Sequence, residues 1–379
     1  MKAAAFVLSA LFAIGTASPA HAQLGGLGKL KGIADKGANA KAKYDDIKID
    51  DKEERQLGEQ VSLKLRDHFG VFQNEPVTKY VSLVGTVLAQ ASTAPNLDWK
   101  FIVLDTDGVN AYAAPGGIIH ITKGLLGMMK SESELAGVLG HEITHVTAKH
   151  TVHAIQQSKG ISAGADLAGG GGSMRDQFIA KFAGAAFNKV FEGEFSQKDE
   201  NEADRVGIQL ANKVGYAPSG MVEVLKKIDA RNGSREDRNG MFASHPATKD
   251  RIDKLTKQIA DEKLTGKATV DARYKQNITF DVKPASEIAM DVSGAAGLAS
   301  GDKKKEDDKK TEEPKKKGGL LGGITGGKQT QASQQTASAG ARGVGGTPDR
   351  DATGGPNKSV LGVKITAAEL DAFKKGIAG

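Results

Sequence analysis

The 379-residue sequence contains no cysteine. Disulfides, thiolate nucleophiles, iron–sulfur clusters and cysteine-based structural zinc sites are all excluded. Stability must come from an apolar core, a bound metal or both. Aromatic residues make up 5% of the chain, and the net charge is only +6. Much of the basic character lies in one run, 302–317, where eight lysines mix with six acids. Nucleic acid is therefore not an expected partner, because a basic face with aromatics to stack on is missing. Long apolar runs are also scarce. The stretch around 116–129 is interrupted by His120, Thr122 and Lys123, so no segment after the N-terminus is expected to span a bilayer. No repeat period is evident, which argues against a helical repeat array.

The N-terminus has a different character. Lys2 precedes an apolar run at 3–15, and Ala20-His21-Ala22 places small residues at −3 and −1 before Gln23. Residues 1–22 are thus expected to be a secretory signal peptide, too short to serve as a spanning helix. Gln23 rather than Cys gives no sign of a lipid anchor. The expected location is the periplasm, with secretion as the alternative. Residues 23–43 read as a flexible leader. Residues 44–285 carry most of the periodic apolar pattern and are expected to form one domain. Residues 295–358 are low in complexity and expected to be disordered. At 359–379 a short helical segment follows, with Thr366 and Glu369 spaced as a capping box.

Within the domain, helices are expected over 51–69 and across Val77, Tyr80, Val81, Val84, Val87 and Leu88. Strands are expected at 99–104 and 118–122, with a turn at 105–108. Ser131 and Glu134 predict the start of a helix running to about 157. Further helical patterns occur at 176–194, 197–214, 218–231 and 246–262.

Residues 141–145 read His-Glu-Ile-Thr-His inside a helical pattern. Spacing i, i+4 puts His141 and His145 one turn apart on one face, where both imidazoles can reach a single Zn²⁺. Glu142 lies about 100° round the helix, placed to act as general base on an activated water. A third ligand is available on a later helical pattern, where Glu200 and Asp204 share a face. Glu200 can supply an oxygen to the metal, and Asp204 can accept from a histidine N–H. The same acidic run also fits a solvated helix face. The metzincin pattern fails, since it needs Gly at 148 and His at 151, and the chain has Ala148 and Thr151. His150 and His153 are out of register for ligation and are expected on the helix face or behind the ligands.

His-Glu-Ile-Thr-His, Glu-Asn-Glu-Ala-Asp-Arg from Glu200, Asn-Ala-Tyr-Ala-Ala-Pro-Gly-Gly from Asn110 and Ser244-His245-Pro246 with Arg251 resemble the gluzincin peptidases that include HtpX and the CAAX prenyl proteases. The resemblance covers roughly residues 50–262. It implies an α+β fold, a mostly helical zincin-like domain with a small antiparallel sheet. It further implies one Zn²⁺ per chain held by His141, His145 and Glu200, with Glu142 catalytic and Asp204 orienting a ligand. His245 would polarise a substrate carbonyl or bind zinc in a latent state, although a helix-entry histidine before Pro246 is the plainer alternative. Arg251 is expected nearby. Substrate would pair with a cleft-edge strand within 110–122, giving Asn110, Ala111, Pro115, Gly116 and Gly117 as candidate contacts. A hairpin turn alone would account for the two glycines equally well.

The expected activity is zinc-dependent endoproteolysis of polypeptides, unfolded or outer-membrane proteins above all. The alternative is a zinc-bound assembly factor that holds unfolded chains and rarely cuts them. The tail is open to contact with a membrane surface or cell wall. The glycine-rich 160–173 segment is expected to form a lid.

Overall fold

Asp50 opens the first helix by accepting from the Glu53 amide, and the Glu53 carboxylate accepts in return from the Asp50 amide. This reciprocal cap satisfies two otherwise orphaned donors. The helix, α1 (Asp51–Phe69), buries Leu57, Val61, Leu65 and Phe69 at four-residue spacing. Asn74 caps α2 (Glu75–Ala91), which buries Val77, Val81, Val84 and Leu88. Both helices occupy the expected positions. The computed structural model describes residues 49–157, 174–191, 195–232, 245, 249–284 and 363–378. All of these fall in one compact unit, Ile49–Gly379. The signal peptide expected at 1–22, the leader at 23–43, the glycine-rich lid at 160–173 and the low-complexity tail at 295–358 lie outside the described residues.

Three strands follow: β1 (Lys100–Leu104), β2 (Ala111–Ala114) and β3 (Ile118–Thr122). Their order in the sheet is β1-β3-β2. The β2–β3 hairpin is antiparallel, as expected, but β1 pairs with β3 in parallel. The sheet is therefore mixed rather than wholly antiparallel, because β1 takes the side of β3 that the hairpin leaves open. The strand after Pro-Gly-Gly is β3, which is hydrogen-bonded on both sides, so among the described residues β2 has one edge with no strand paired to it.

A short helix not anticipated from the sequence, α3 (Lys123–Met128), follows β3 directly. The Thr122 hydroxyl caps it by accepting from the Leu125 amide. Then comes α4 (Glu132–Thr147), buried along its whole length from Glu132 to Val146. Ser131 caps it as expected, accepting from the Glu134 amide at 3.2 Å. The helix does not run on to 157. It stops at Ala148, Lys149 takes a left-handed conformation with φ 54°, and α5 (His150–Gln157) starts anew.

The remaining helices are α6 (Met174–Phe191), α7 (Gln197–Lys213), α8 (Ser219–Asn232), α9 (Lys249–Asp261), α10 (Asp271–Asn277) and α11 (Ala367–Ala378). Helix α7 packs against α4 at backbone contact distance. A Cβ on Gly140 would stand 2.7 Å from the Gly207 carbonyl oxygen, and one on Gly207 would stand 2.7 Å from the His141 nitrogen. That closeness brings the acidic face of α7 up to the histidines of α4. Helix α11 buries Leu370, Phe373 and Ile377, with the Arg273 guanidinium 4.0 Å above the Phe373 ring. No helix among the described residues is long and apolar enough to cross a membrane.

Candidate metal centre

His141 and His145 stand on successive turns of α4, and Glu200 and Asp204 on successive turns of α7. His245 joins them from the chain ahead of α9. His141, His145, Glu200 and His245 each offer one ligand atom, and these four atoms all lie within 4.8 Å of one another. The Nε2 atoms of His141 and His145 are 3.1 Å apart, and His141 Nε2 is 3.2 Å from His245 Nδ1. His145 Nε2 lies 3.4 Å from a Glu200 carboxylate oxygen, which is 2.7 Å from His245 Nδ1. Ligands at ordinary Zn–N and Zn–O distances from a tetrahedral ion stand about 3.4 Å apart. Three ring nitrogens aimed at one point cannot all be satisfied by the protons they share, whereas a cation satisfies them together. The residues present therefore fit a metal ion.

The groups behind the ligands are equally ordered. Asp204 is 3.0 Å from His141 Nδ1, so the proton on that nitrogen is fixed and Nε2 is left bare. Arg251 donates to both Asp204 oxygens at 2.8 and 2.7 Å, and its third nitrogen reaches Glu200 at 3.0 Å. It also donates to the His245 carbonyl at 3.2 Å. One buried guanidinium thus ties together two carboxylates and the His245 backbone.

Burial raises the Asp204 carboxyl, but Arg251 and His141 outweigh it and hold the group at about 2. Glu200 is likewise held well below the usual carboxylate range, with His245, Arg251 and His141 overcoming the effect of burial. Burial drives His145 well down, which favours a bare imidazole. Glu142 differs from the other carboxylates. Burial pushes it up despite His245 and His141, and neither of its oxygens has a hydrogen-bond partner among the described residues. Its nearest ring nitrogen is His245 Nε2, at 3.8 Å. A buried carboxylate without donors is costly unless something arrives to use it.

Every candidate from the helices and from 245–251 is brought to one place. The hairpin candidates lie beside it: a narrow crevice lined by Ala113, Pro115 and His145 joins β2 to the ligand group. Asn110, Ala111, Pro115, Gly116 and Gly117 are all buried. Gly116 (φ 71°) and Gly117 (φ 96°) shape the turn, whose Gly116 amide donates to Glu54 at 3.3 Å and whose carbonyl accepts from Arg55 at 2.7 Å.

Residues 76–259, from α2 to α9, match the model of Peptidase family M48. That segment, just under half of the chain, belongs to peptidase family M48. Its relatives include the beta-barrel assembly-enhancing protease of Escherichia coli, 30% identical over 209 residues that make up 53% of this chain and 42% of the relative. The mitochondrial metalloendopeptidase OMA1 of Schizosaccharomyces pombe is 29% identical over 50% of this chain and 55% of its own length. Metalloprotease LoiP of Escherichia coli is 26% identical over 49% and 72% respectively. The chain thus spans less than half the length of the first of these.

The M48 segment contains all four converging ligand atoms, while α1 and α11 lie outside it. It also holds a residue that sequence reasoning passed over. Phe195, just ahead of α7, packs its ring 4.3 Å from that of His145 and 5.4 Å from that of His245. Nothing in the local sequence marks Phe195, since its role depends on where the chain before α7 passes.

Proposed function

We propose that the chain is an exported zinc-dependent endopeptidase that cleaves misfolded or membrane-associated envelope proteins. The observation that carries this is a bare, buried Glu142 carboxylate beside a point on which four metal-ligating atoms converge. Zinc is the choice of ion because two imidazoles and one carboxylate form a typical catalytic zinc set. When bound, Zn²⁺ supplies Lewis acidity toward water and a peptide carbonyl.

The chain's own residues do the rest. His141, His145 and Glu200 hold the ion, and Asp204 and Arg251 keep His141 and Glu200 in place. Glu142 takes the proton of the attacking water and returns it to the leaving amide nitrogen. The substrate lies along the free edge of β2, pairing through its backbone, a mode that tolerates many side chains and suits unfolded polypeptide.

His245 would offer the ion a fourth protein ligand atom, and a zinc site so filled would be closed to substrate. Turnover would then require His245 to move aside, where it would be placed to polarise the carbonyl or steady the departing group. The relatives named as proteases, one of them for enhancing beta-barrel assembly, support a polypeptide substrate. The N-terminal signal pattern at residues 1–22 supports a periplasmic location. Elemental analysis of purified protein tests the metal assignment. One zinc per chain is expected, and His141→Ala should abolish it. Full zinc content in that variant would refute the assigned ligands.

A further inference from the structure

His150 lies outside the expected ligand register, yet the fold turns it back onto the metal centre. Had α4 continued, a residue five places after His145 would point about 140° away from it round the helix. The left-handed Lys149 breaks the helix instead, at a φ of 54° that disfavours a side-chain-bearing residue. Two carboxylates hold Lys149 there, Glu54 at 2.8 Å and Asp51 at 2.9 Å, both from α1. The consequence is that His150 Nδ1 sits 3.0 Å from His145 Nδ1. Both rings are buried and stand edge to face, with centroids 4.9 Å apart.

We propose that His150 is the positioning residue for His145, doing for that ligand what Asp204 does for His141. The inference rests on the metal reading given above. His145 turns Nε2 toward the metal point, so its proton resides on Nδ1 and is donated to a bare His150 Nδ1. The His150 proton then sits on Nε2, which faces Asp199 at 3.8 Å and Glu202 at 3.7 Å. Both carboxylates belong to the first turns of α7, the helix that supplies Glu200. A chain of contacts thus runs from α7 through His150 to His145, and the two ligand-bearing helices are locked at both histidines rather than one. A helix-face histidine with no such role would have no reason to be aimed at a ligand's second nitrogen by a strained residue.

The test compares Zn²⁺ affinity, by chelator competition, in wild type, His150→Ala and His150→Asn. The asparagine places an amide oxygen near the position of Nδ1. Loss of a group behind a ligand typically weakens metal binding ten- to a hundredfold, so the alanine variant is expected to lose affinity by about that factor. The asparagine variant should recover most of it, with the unfolding midpoint of the metal-free proteins alongside as control. Wild-type affinity in a folded alanine variant overturns the proposal. A wild-type chain that takes up no Zn²⁺ overturns the metal reading instead. If the alanine variant does not fold, nitrogen-15 spectra of the wild-type imidazoles decide. A scalar coupling between the Nδ1 atoms of His145 and His150 is expected, and a His145 proton on Nε2 in the zinc-loaded protein would sink the idea.

Discussion

Arg251 is the most constrained side chain at the proposed centre. It is buried, and it contacts Glu200, Asp204 and the His245 carbonyl at once. Buried ion pairs cost much in desolvation, and removing one partner leaves an uncompensated charge. Arg251→Ala is therefore expected to destabilise the metal-free protein by about 3–5 kcal/mol in urea titration. It should also impair zinc uptake, because Glu200 and Asp204 lose their common donor. His120, on β3, offers a second test. Burial, reinforced by Arg66, brings its imidazole down to about 3, and Ser62 meets its Nε2 at 2.9 Å. The folded state thus resists a proton that the unfolded chain accepts near its ordinary value of about 6.5. The stability this group contributes is complete above that value and lost as pH falls toward 3. Urea midpoints from pH 7 to pH 4 should show a shallower decline in His120→Gln than in wild type, by up to about 1.4 kcal/mol per pH unit.

At the scale of elements, the contact between α4 and α7 sets the site. Gly140 and Gly207 allow these helices to touch, so Glu200 and Asp204 can reach histidines more than fifty residues earlier in the chain. Gly207→Ala is expected to force the two apart, at a cost of about 1–3 kcal/mol. Zinc affinity should fall with it, and calorimetry on the metal-loaded and metal-free forms would check both effects. The helices of this site were legible in the sequence because apolar spacing and caps are local signals. Asp51–Phe69 and the Ser131 cap are examples. So was the pairing of His141 with His145, which helical geometry alone dictates. The break at Lys149 was not legible, because it is held by carboxylates of α1 almost a hundred residues away. The parallel placement of β1 and the central position of β3 were hidden for the same reason. Strand order depends on tertiary packing, and no local pattern encodes it. His245 could be flagged only by resemblance, since nothing around it marks a ligand until the fold brings it within 2.7 Å of Glu200.

At the scale of the molecule, the C-terminal helix is part of the domain. Leu370, Phe373 and Ile377 are buried, the Thr366–Glu369 capping box forms, and Glu369 pairs with Lys79 of α2. Arg273 links this helix to the interior by pairing with buried Glu132, whose carboxylate also accepts from the hydroxyls of Tyr80 and Tyr216. Removing residues 363–379 exposes these apolar side chains and their partners. Burial of each is worth about 1.5–3 kcal/mol before the ordering of the helix is subtracted. A lower melting temperature with unchanged zinc stoichiometry is the expected outcome, readable by calorimetry and elemental analysis. The role of Glu142 as general base is decided by comparing it with its amide. Wild type and Glu142→Gln, both zinc-loaded, are incubated with an unfolded protein such as casein after any activation the wild type needs. Equal zinc content with a loss of cleavage of about 10²- to 10⁴-fold is predicted for the variant. Cleavage at the wild-type rate would contradict the assignment of Glu142 as the base.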